Sequence, residues 1–423
     1  MTAFLEVAKL LLKSIPAMVF RSEYFLALAI VVGLVHFQYR RVAAVEERLF
    51  GRVRYEPRQQ TTRSILFGLL GGALGTGLFI IIGISLTDSG VAYIWPLALL
   101  LMLVHPRFLC FSYAGGLLSF SHLLFGWPQI HIPSVMGLVA VLHLVEAVLI
   151  RISGHLNPNP VYVKGRDGRV VGGFALQKFW PLPLVALVYL TLPEGPLREV
   201  VNMPSWWPLI KPPQEVPGGM ELVYILFPVV AALGYGDMAL SRTPREKASL
   251  SSLYLFAYSI ILLILAVLAD SFQPLRYFSP LFAILGHDLV IQLGNRMELG
   301  GQPLFTPALD GLGVLDVFPG GTGHSLGLRS GDVILAVNGH SLLPGDDLRW
   351  LPPGPLELLV RREEQEVVMW YPRHQGGSLG VLFVPLPWSA AYVELRGLQR
   401  PGWLLRRLRS LWTELVKRMG FRR

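Results

Sequence analysis

Apolar runs separated by short polar connections fill roughly the first 298 residues; beyond them come brief alternating stretches broken by Gly and Pro, then a mixed apolar and basic tail. From Phe4 to Ile15, Glu6, Lys9 and Lys13 share one helical face while Leu5, Leu11, Leu12 and Ile15 lie elsewhere, which predicts a helix lying in a membrane interface. The later runs predict about nine spans, at 24–38, 64–86, 91–104, 108–125, 135–150, 180–192, 222–240, 250–269 and 277–293. Trp180–Leu192 is the least helical of them, because Pro181 and Pro183 interrupt it.

Charge orients this pattern. Arg40, Arg41, Arg48, Arg52, Arg54, Arg58 and Arg63 crowd the connection after the first span, which predicts a cytoplasmic segment. The connections 87–90 and 126–134 carry no Lys or Arg, whereas Arg107 and the 151–178 segment fall on the basic side. The count predicts an outside N-terminus, a cytoplasmic C-terminal domain, and an outside loop 193–218 anchored by Trp206 and Trp207. Pro158, Pro160 and the turn Gly165-Arg166-Asp167-Gly168 predict a small cytoplasmic hairpin within 151–178.

Composition agrees with a membrane assignment. The 423 residues are 52% hydrophobic with a mean hydropathy of +0.50, too apolar for one soluble domain. The net charge of +9 sits in loops and in the tail, so it points to topology and anionic lipid and not to nucleic acid. With Cys110 the single cysteine, inside an apolar run, neither an intrachain disulfide nor a cysteine metal site is expected. No cleavable signal is expected either, since Lys9 and Lys13 interrupt the first apolar stretch.

Residues 299–395 read as a separate small α+β domain, and 396–423 as a basic amphipathic helix. In that tail Leu404, Leu408, Leu411, Trp412, Leu415 and Met419 form one stripe, with Arg406, Arg407, Arg409, Lys417 and Arg418 off it. The most informative stretch runs from Gly313 to Gly339: a strand, the turn at Pro319-Gly320-Gly321, a helical turn ending at Gly327-Leu328, Gly331-Asp332-Val333-Ile334, and a strand closed by Asn338-Gly339. This order resembles a PDZ domain of the circularly permuted bacterial type, departing from it at Thr322-Gly323-His324. With the spans and the hairpin before it, the chain resembles the MinJ-like PDZ-containing membrane proteins of Gram-positive bacteria. That resemblance extends to Gly172-Gly173-Phe174 and to Gln177 through Pro183. It implies a membrane scaffold that recruits division proteins in division-site placement, with no enzymatic activity, cofactor or metal.

Three chemistries compete with that implication. Zinc proteolysis needs two His one turn apart with a Glu beside the first, yet His287-Asp288-Leu289-Val290-Ile291 lacks the second His and His143-Leu144-Val145-Glu146 completes no set. Serine proteolysis would use Ser119 or Ser121 with His122, but no nucleophile-elbow setting surrounds them. A transporter would use the ionisable residues within spans, His143, Glu146 and Asp237. A protease or transporter predicts that His143, Glu146, Asp237, His287 and Asp288 converge in one cavity; a scaffold predicts that they do not. The glycines Gly68, Gly71, Gly72, Gly75 and Gly77 predict close helix packing.

In a PDZ domain the partner's C-terminus adds as a strand, its carboxylate held by backbone N–H groups of a short loop. Gly311-Leu312-Gly313-Val314 and Ser378-Leu379-Gly380-Val381 are the two candidate loops. In the permuted order the groove strand comes last, so Ser378, Leu379, Gly380 and Val381 are preferred. The opposite wall is expected from a helix near Asp346 to Leu351, with Leu348 and Leu351 as floor residues; Pro344 and Pro352-Pro353 limit it to about two turns.

Overall fold

A computed structural model describes residues 2–19, 21–165, 168–195, 201–213, 216–348, 350–389 and 393–394. The predicted amphipathic tail lies outside the described residues. Among the described residues eight long helices are built largely from the apolar runs: α1 Thr2–Val19, α2 Ser22–Phe50, α3 Pro57–Ile82, α4 Val91–Val104, α5 Phe111–Phe125, α6 Ile132–Leu149, α7 Pro244–Ser271 and α8 Leu275–Gly300. Their ends follow the local chemistry. Left-handed glycines at Gly51, Gly83 and Gly126 close α2, α3 and α5, and a Thr243–Glu246 capping box opens α7. Among the described residues four helical stretches are long and apolar enough to cross a bilayer, Ser22–Arg48, Pro57–Ile82, Ile132–Gly154 and Pro244–Ser271, so this is a membrane protein. The third includes a π-helical turn, Ile150–Gly154, that extends α6. α6 is buried nearly all round and forms the centre of the bundle.

Two runs read as helical spans, Trp180–Leu192 and Leu222–Leu240, are corrected by the structure to strands. After β1 (Asn159–Lys164), β2 (Val170–Pro193) and β3 (Met220–Ala239) form one long antiparallel hairpin, in register from Phe174↔Ala239 to Pro193↔Met220. The β-branched and aromatic content of these runs and the prolines of β2 suit a strand better than a helix. An open strand edge is costly in lipid, because each unpaired backbone group lacks water. The outer edge of β2 is closed by α3 and its neighbours. Pro181 and Pro183 carry no N–H; the Val185 N–H donates to Thr76 Oγ1 at 2.9 Å, and the Leu86 N–H donates to the Leu187 carbonyl at 2.8 Å. Further along, the Tyr189 N–H donates to Thr87 Oγ1 at 3.1 Å, and at the other end the Phe179 N–H reaches the Tyr39 hydroxyl at 3.4 Å. The glycines of α3 serve this contact. A β-carbon on Gly68 or Gly72 would collide with the carbonyl oxygen of Pro181 or Pro183, whereas Gly77 faces open space.

Because β2 runs beside α3 along its length, the hairpin tip lies at the C-terminal end of α3. There Leu209 N–H donates to the Ile82 carbonyl at 2.9 Å and Trp207 Nε1 to the Ile80 carbonyl at 2.8 Å. The opposite end gathers arginines: Arg54 donates to the Pro158 carbonyl, Arg63 to Asn157 and Arg151 to Ser249, at 3.0 to 3.1 Å.

At this second end sits a C-terminal sheet-containing domain. Its elements are β4 (Leu312–Val317), α9 (Thr322–Leu326), β5 (Val333–Val337), β6 (His340–Ser341), β7 (Gly354–Arg362), β8 (Gln365–His374) and β9 (Val381–Phe383), in the sheet order β8-β7-β5-β4-β9, with β6 on β5. A last strand, β10 (Val393–Glu394), leaves this domain and pairs in parallel with β1. Arg362 locks the turn before β5, holding Asp332 through two guanidinium nitrogens at 2.8 and 2.6 Å.

Candidate functional site

Two places concentrate unusual chemistry, the edge of the C-terminal domain and a buried polar cluster in the bundle. In the first, β9 is an edge strand against β4, with Val314↔Phe383 and Val317↔Val381 paired. The preceding loop turns through left-handed Gly376, Gly377 and Gly380. Its groups are largely committed inward. The carbonyls of Leu379 and Gly380 accept from Gly323 and Phe318 at 2.7 and 2.8 Å, and the Gly380 N–H turns onto Ser378 Oγ at 3.1 Å. Val381 is partly exposed.

The helix expected near Asp346 to Leu351 is not formed. Asp346 instead accepts the Leu343 N–H at 2.7 Å, Gly345 takes a φ of 104°, and Leu351 exchanges backbone bonds with Gly377 at 2.8 and 2.9 Å. The prolines on either side and this side-chain-capped turn hold the segment irregular. Leu348 and Leu351 belong with Leu379 to the buried core of the domain.

Beyond β9 lies the membrane domain. The Tyr162 hydroxyl of β1 donates to the Phe383 carbonyl at 2.8 Å, and Leu382 and Val384 join Phe174, Ala239 and Leu315 in one apolar cluster. Arg54 meets Asp316 of β4 at 2.5 Å. Burial nevertheless outweighs that guanidinium and pushes the Asp316 carboxyl up to about 6. The bulk of the docking is apolar: Leu315 is fully buried, and Gly172 approaches Phe305 so closely that its N–H donates to the Phe305 carbonyl at 3.0 Å.

The second place lies where α5, α6, α7 and α8 meet. Cys110, at the N-cap of α5, has its Sγ 3.1 Å from His143 Nε2 and 3.6 Å from His287 Nε2. Ser112 adds a hydroxyl 3.2 Å from the same His143 nitrogen and 2.8 Å from the Tyr258 hydroxyl. Tyr258 and Tyr113 pack edge-on against the His287 ring, and Asp288 joins Tyr113 and Arg107 at 3.2 and 3.6 Å on the cluster's outer side. Glu146 lies one turn along α6 from His143.

The structure therefore brings together His143 and His287 with Glu146 and Asp288 near them, and separates Asp237. That carboxylate pairs with Lys247, itself 1% exposed, at 3.2 Å and accepts from Ser251 at 2.7 Å, pinning β3 to α7. Ser121 and His122 form no dyad with each other: Ser121 donates to the Trp127 carbonyl, and His122 faces the Pro128 carbonyl. The single cysteine, from which no metal site was expected, stands beside two histidines from distant segments, their ligand atoms all within 4.8 Å of one another. The sequence signal was the pair of membrane histidines; the fold alone reveals their third partner.

The arrangement defines a membrane protein with a sheet-containing domain docked at one end. No family model matches the chain. It is 24% identical over 208 residues to the cell division topological determinant MinJ of Bacillus subtilis (strain 168), a match covering 49% of each protein. The chain thus spans about half the length of the curated relative it matches, and the match supports a MinJ-like relationship.

Proposed function

We propose that the protein is a membrane-embedded scaffold in division-site selection, whose C-terminal domain is PDZ-like, faces the cytoplasm and recruits division proteins. The observation that carries this reading is β9: a short edge strand set last in the sheet, beside β4, and entered through a loop of left-handed glycines. An extended peptide adding to that edge gains backbone hydrogen bonds, and pockets beside alternate residues give selectivity. The relative's description as a topological determinant of cell division agrees with a placing role. The basic tail adds attraction to anionic lipid.

Gly380→Asp is a poor test of the edge, since residue 380 has a φ of 70° and a β-carbon there would stand 3.1 Å from the Gly321 α-carbon. A photo-reactive residue at Val381 of the full-length protein is cleaner. Irradiation in cells should link it to division proteins, and a fluorescent fusion should gather at division sites. Crosslinks confined to the chain itself, with the fusion spread evenly over the membrane, would remove the proposal.

A further inference from the structure

We propose that Cys110, His143 and His287 form a zinc-class metal site that clamps α5, α6 and α8 together. Zinc takes thiolate at about 2.3 Å and imidazole nitrogen at about 2.0 to 2.1 Å, so tetrahedral geometry separates sulfur and nitrogen ligands by about 3.5 Å. The observed Sγ–Nε2 separations of 3.1 and 3.6 Å bracket that value, and all three ligand atoms lie within 4.8 Å of one another. Spacing of this kind is what a shared ion requires.

The protonation pattern fits as well. His143 Nδ1 lies 2.7 Å from the Val139 carbonyl, which can only accept, so Nδ1 carries the proton and Nε2 presents its lone pair to Cys110. A histidine oriented through its other nitrogen by a backbone carbonyl is the arrangement metal sites use to fix a ligand. His143 is 3% exposed and held on the most buried helix, so its aim is rigid. His287 presents Nε2 to the same Sγ, while its buried Nδ1 has no hydrogen-bond partner among the described residues, so His143 is the more firmly oriented of the two rings.

The donor set selects the ion. One thiolate and two imidazoles favour zinc over magnesium or calcium, which take oxygen. Ser112, held by Tyr258, stands beside the same Nε2. The Arg107–Asp288 pair, with Arg107 45% exposed at its side chain, lies on the outer side of the cluster.

The test uses the full-length protein in detergent, stripped with chelator and reloaded. Zinc should be retained at one equivalent per chain, and cobalt should produce a thiolate charge-transfer band with tetrahedral ligand-field bands. Chelator should lower the thermal midpoint, and zinc should restore it. Cys110→Ser and His287→Gln, each checked for a monodisperse elution profile, should lose the charge-transfer band and the zinc-dependent midpoint shift. Independently of any variant, zinc should protect Cys110 of the wild type from alkylation in mild detergent. Substoichiometric zinc, or cobalt spectra without a sulfur band in the wild type, would overturn the site whatever the variants do.

Discussion

The carbonyl oxygen of Pro183 occupies the space where a side chain on residue 72 would begin, and residue 72 is glycine. This contact lets a strand lie against a helix at membrane depth. Gly72→Val should therefore abolish the folded protein or lower its thermal midpoint strongly, because a backbone atom cannot yield as a side-chain tip can. Gly77→Ala, which meets nothing within 4 Å, should be neutral or slightly stabilising, by up to about 1 kcal/mol from helix propensity. Equal behaviour of the two variants in a detergent thermal-shift series would mean that β2 does not rest on α3.

Thr76 offers a subtler probe of the same seam. Its hydroxyl accepts the Val185 N–H, a donor with no other partner among the described residues. Thr76→Val keeps the shape and strands a buried N–H, which should cost about 1 to 3 kcal/mol, while Thr76→Ser should retain most of the stability. A midpoint for the valine variant equal to that of the serine variant would count against the bond.

How much of this was visible in the chain depends on which interactions are local. The apolar runs 64–86 and 250–269, which lie largely within α3 and α7, are readable because their pattern is local, and so is the Gly313–Gly339 order of turns, because each turn needs its own glycine. The β2–β3 hairpin was not legible: Trp180–Leu192 and Leu222–Leu240 are apolar on both faces, so neither the helical nor the strand period appears. Pro181 and Pro183 were the usable signal, since they weaken a helix and blunt a strand edge at once. The helix expected at Asp346–Leu351 failed for a local reason, the Asp346 side chain capturing the Leu343 N–H. The Cys110–His143–His287 cluster depends on three segments meeting in space, which no spacing encodes.

Asp316 gives the docking interface a pH dependence. Its folded carboxyl is raised to about 6 by burial, so protonation favours the folded form relative to the unfolded chain. Its contribution is fully present below about pH 4 and is lost as the pH rises through about 6, a change on the order of 3 kcal/mol at most. Thermal midpoints taken across pH 4 to 7 should show that decline in the wild type, and Asp316→Asn should remove that part of the slope. Parallel slopes for the two proteins would show that the carboxyl titrates normally. Arg54→Ala should move the decline to higher pH, because the guanidinium is what holds the carboxyl down against burial.

Tyr162 tests whether the membrane domain occupies the edge that a partner would use. Its hydroxyl is bound to the Phe383 carbonyl on β9, while its ring packs in the apolar cluster with Phe174 and Leu315. Tyr162→Phe keeps the ring and removes one bond, a net loss of about 0.5 to 1.5 kcal/mol, so the β9 edge should open several-fold more often. Amide exchange at Leu382 to Val384 should accelerate accordingly, while exchange at Leu358 and Val360, on the far side of the sheet, should not. Arg54 holds Asp316, the β4 residue paired with Leu382 and so next to Phe383, and the two contacts share β9; Tyr162→Phe and Arg54→Ala should therefore be coupled, not additive, in their effect on β9 exchange. If the edge is the recruiting surface, the same Tyr162→Phe change should raise the yield of the Val381 crosslink. Faster exchange without more crosslinking would separate docking from recruitment, and unchanged exchange would show that the apolar cluster alone holds β9 in place.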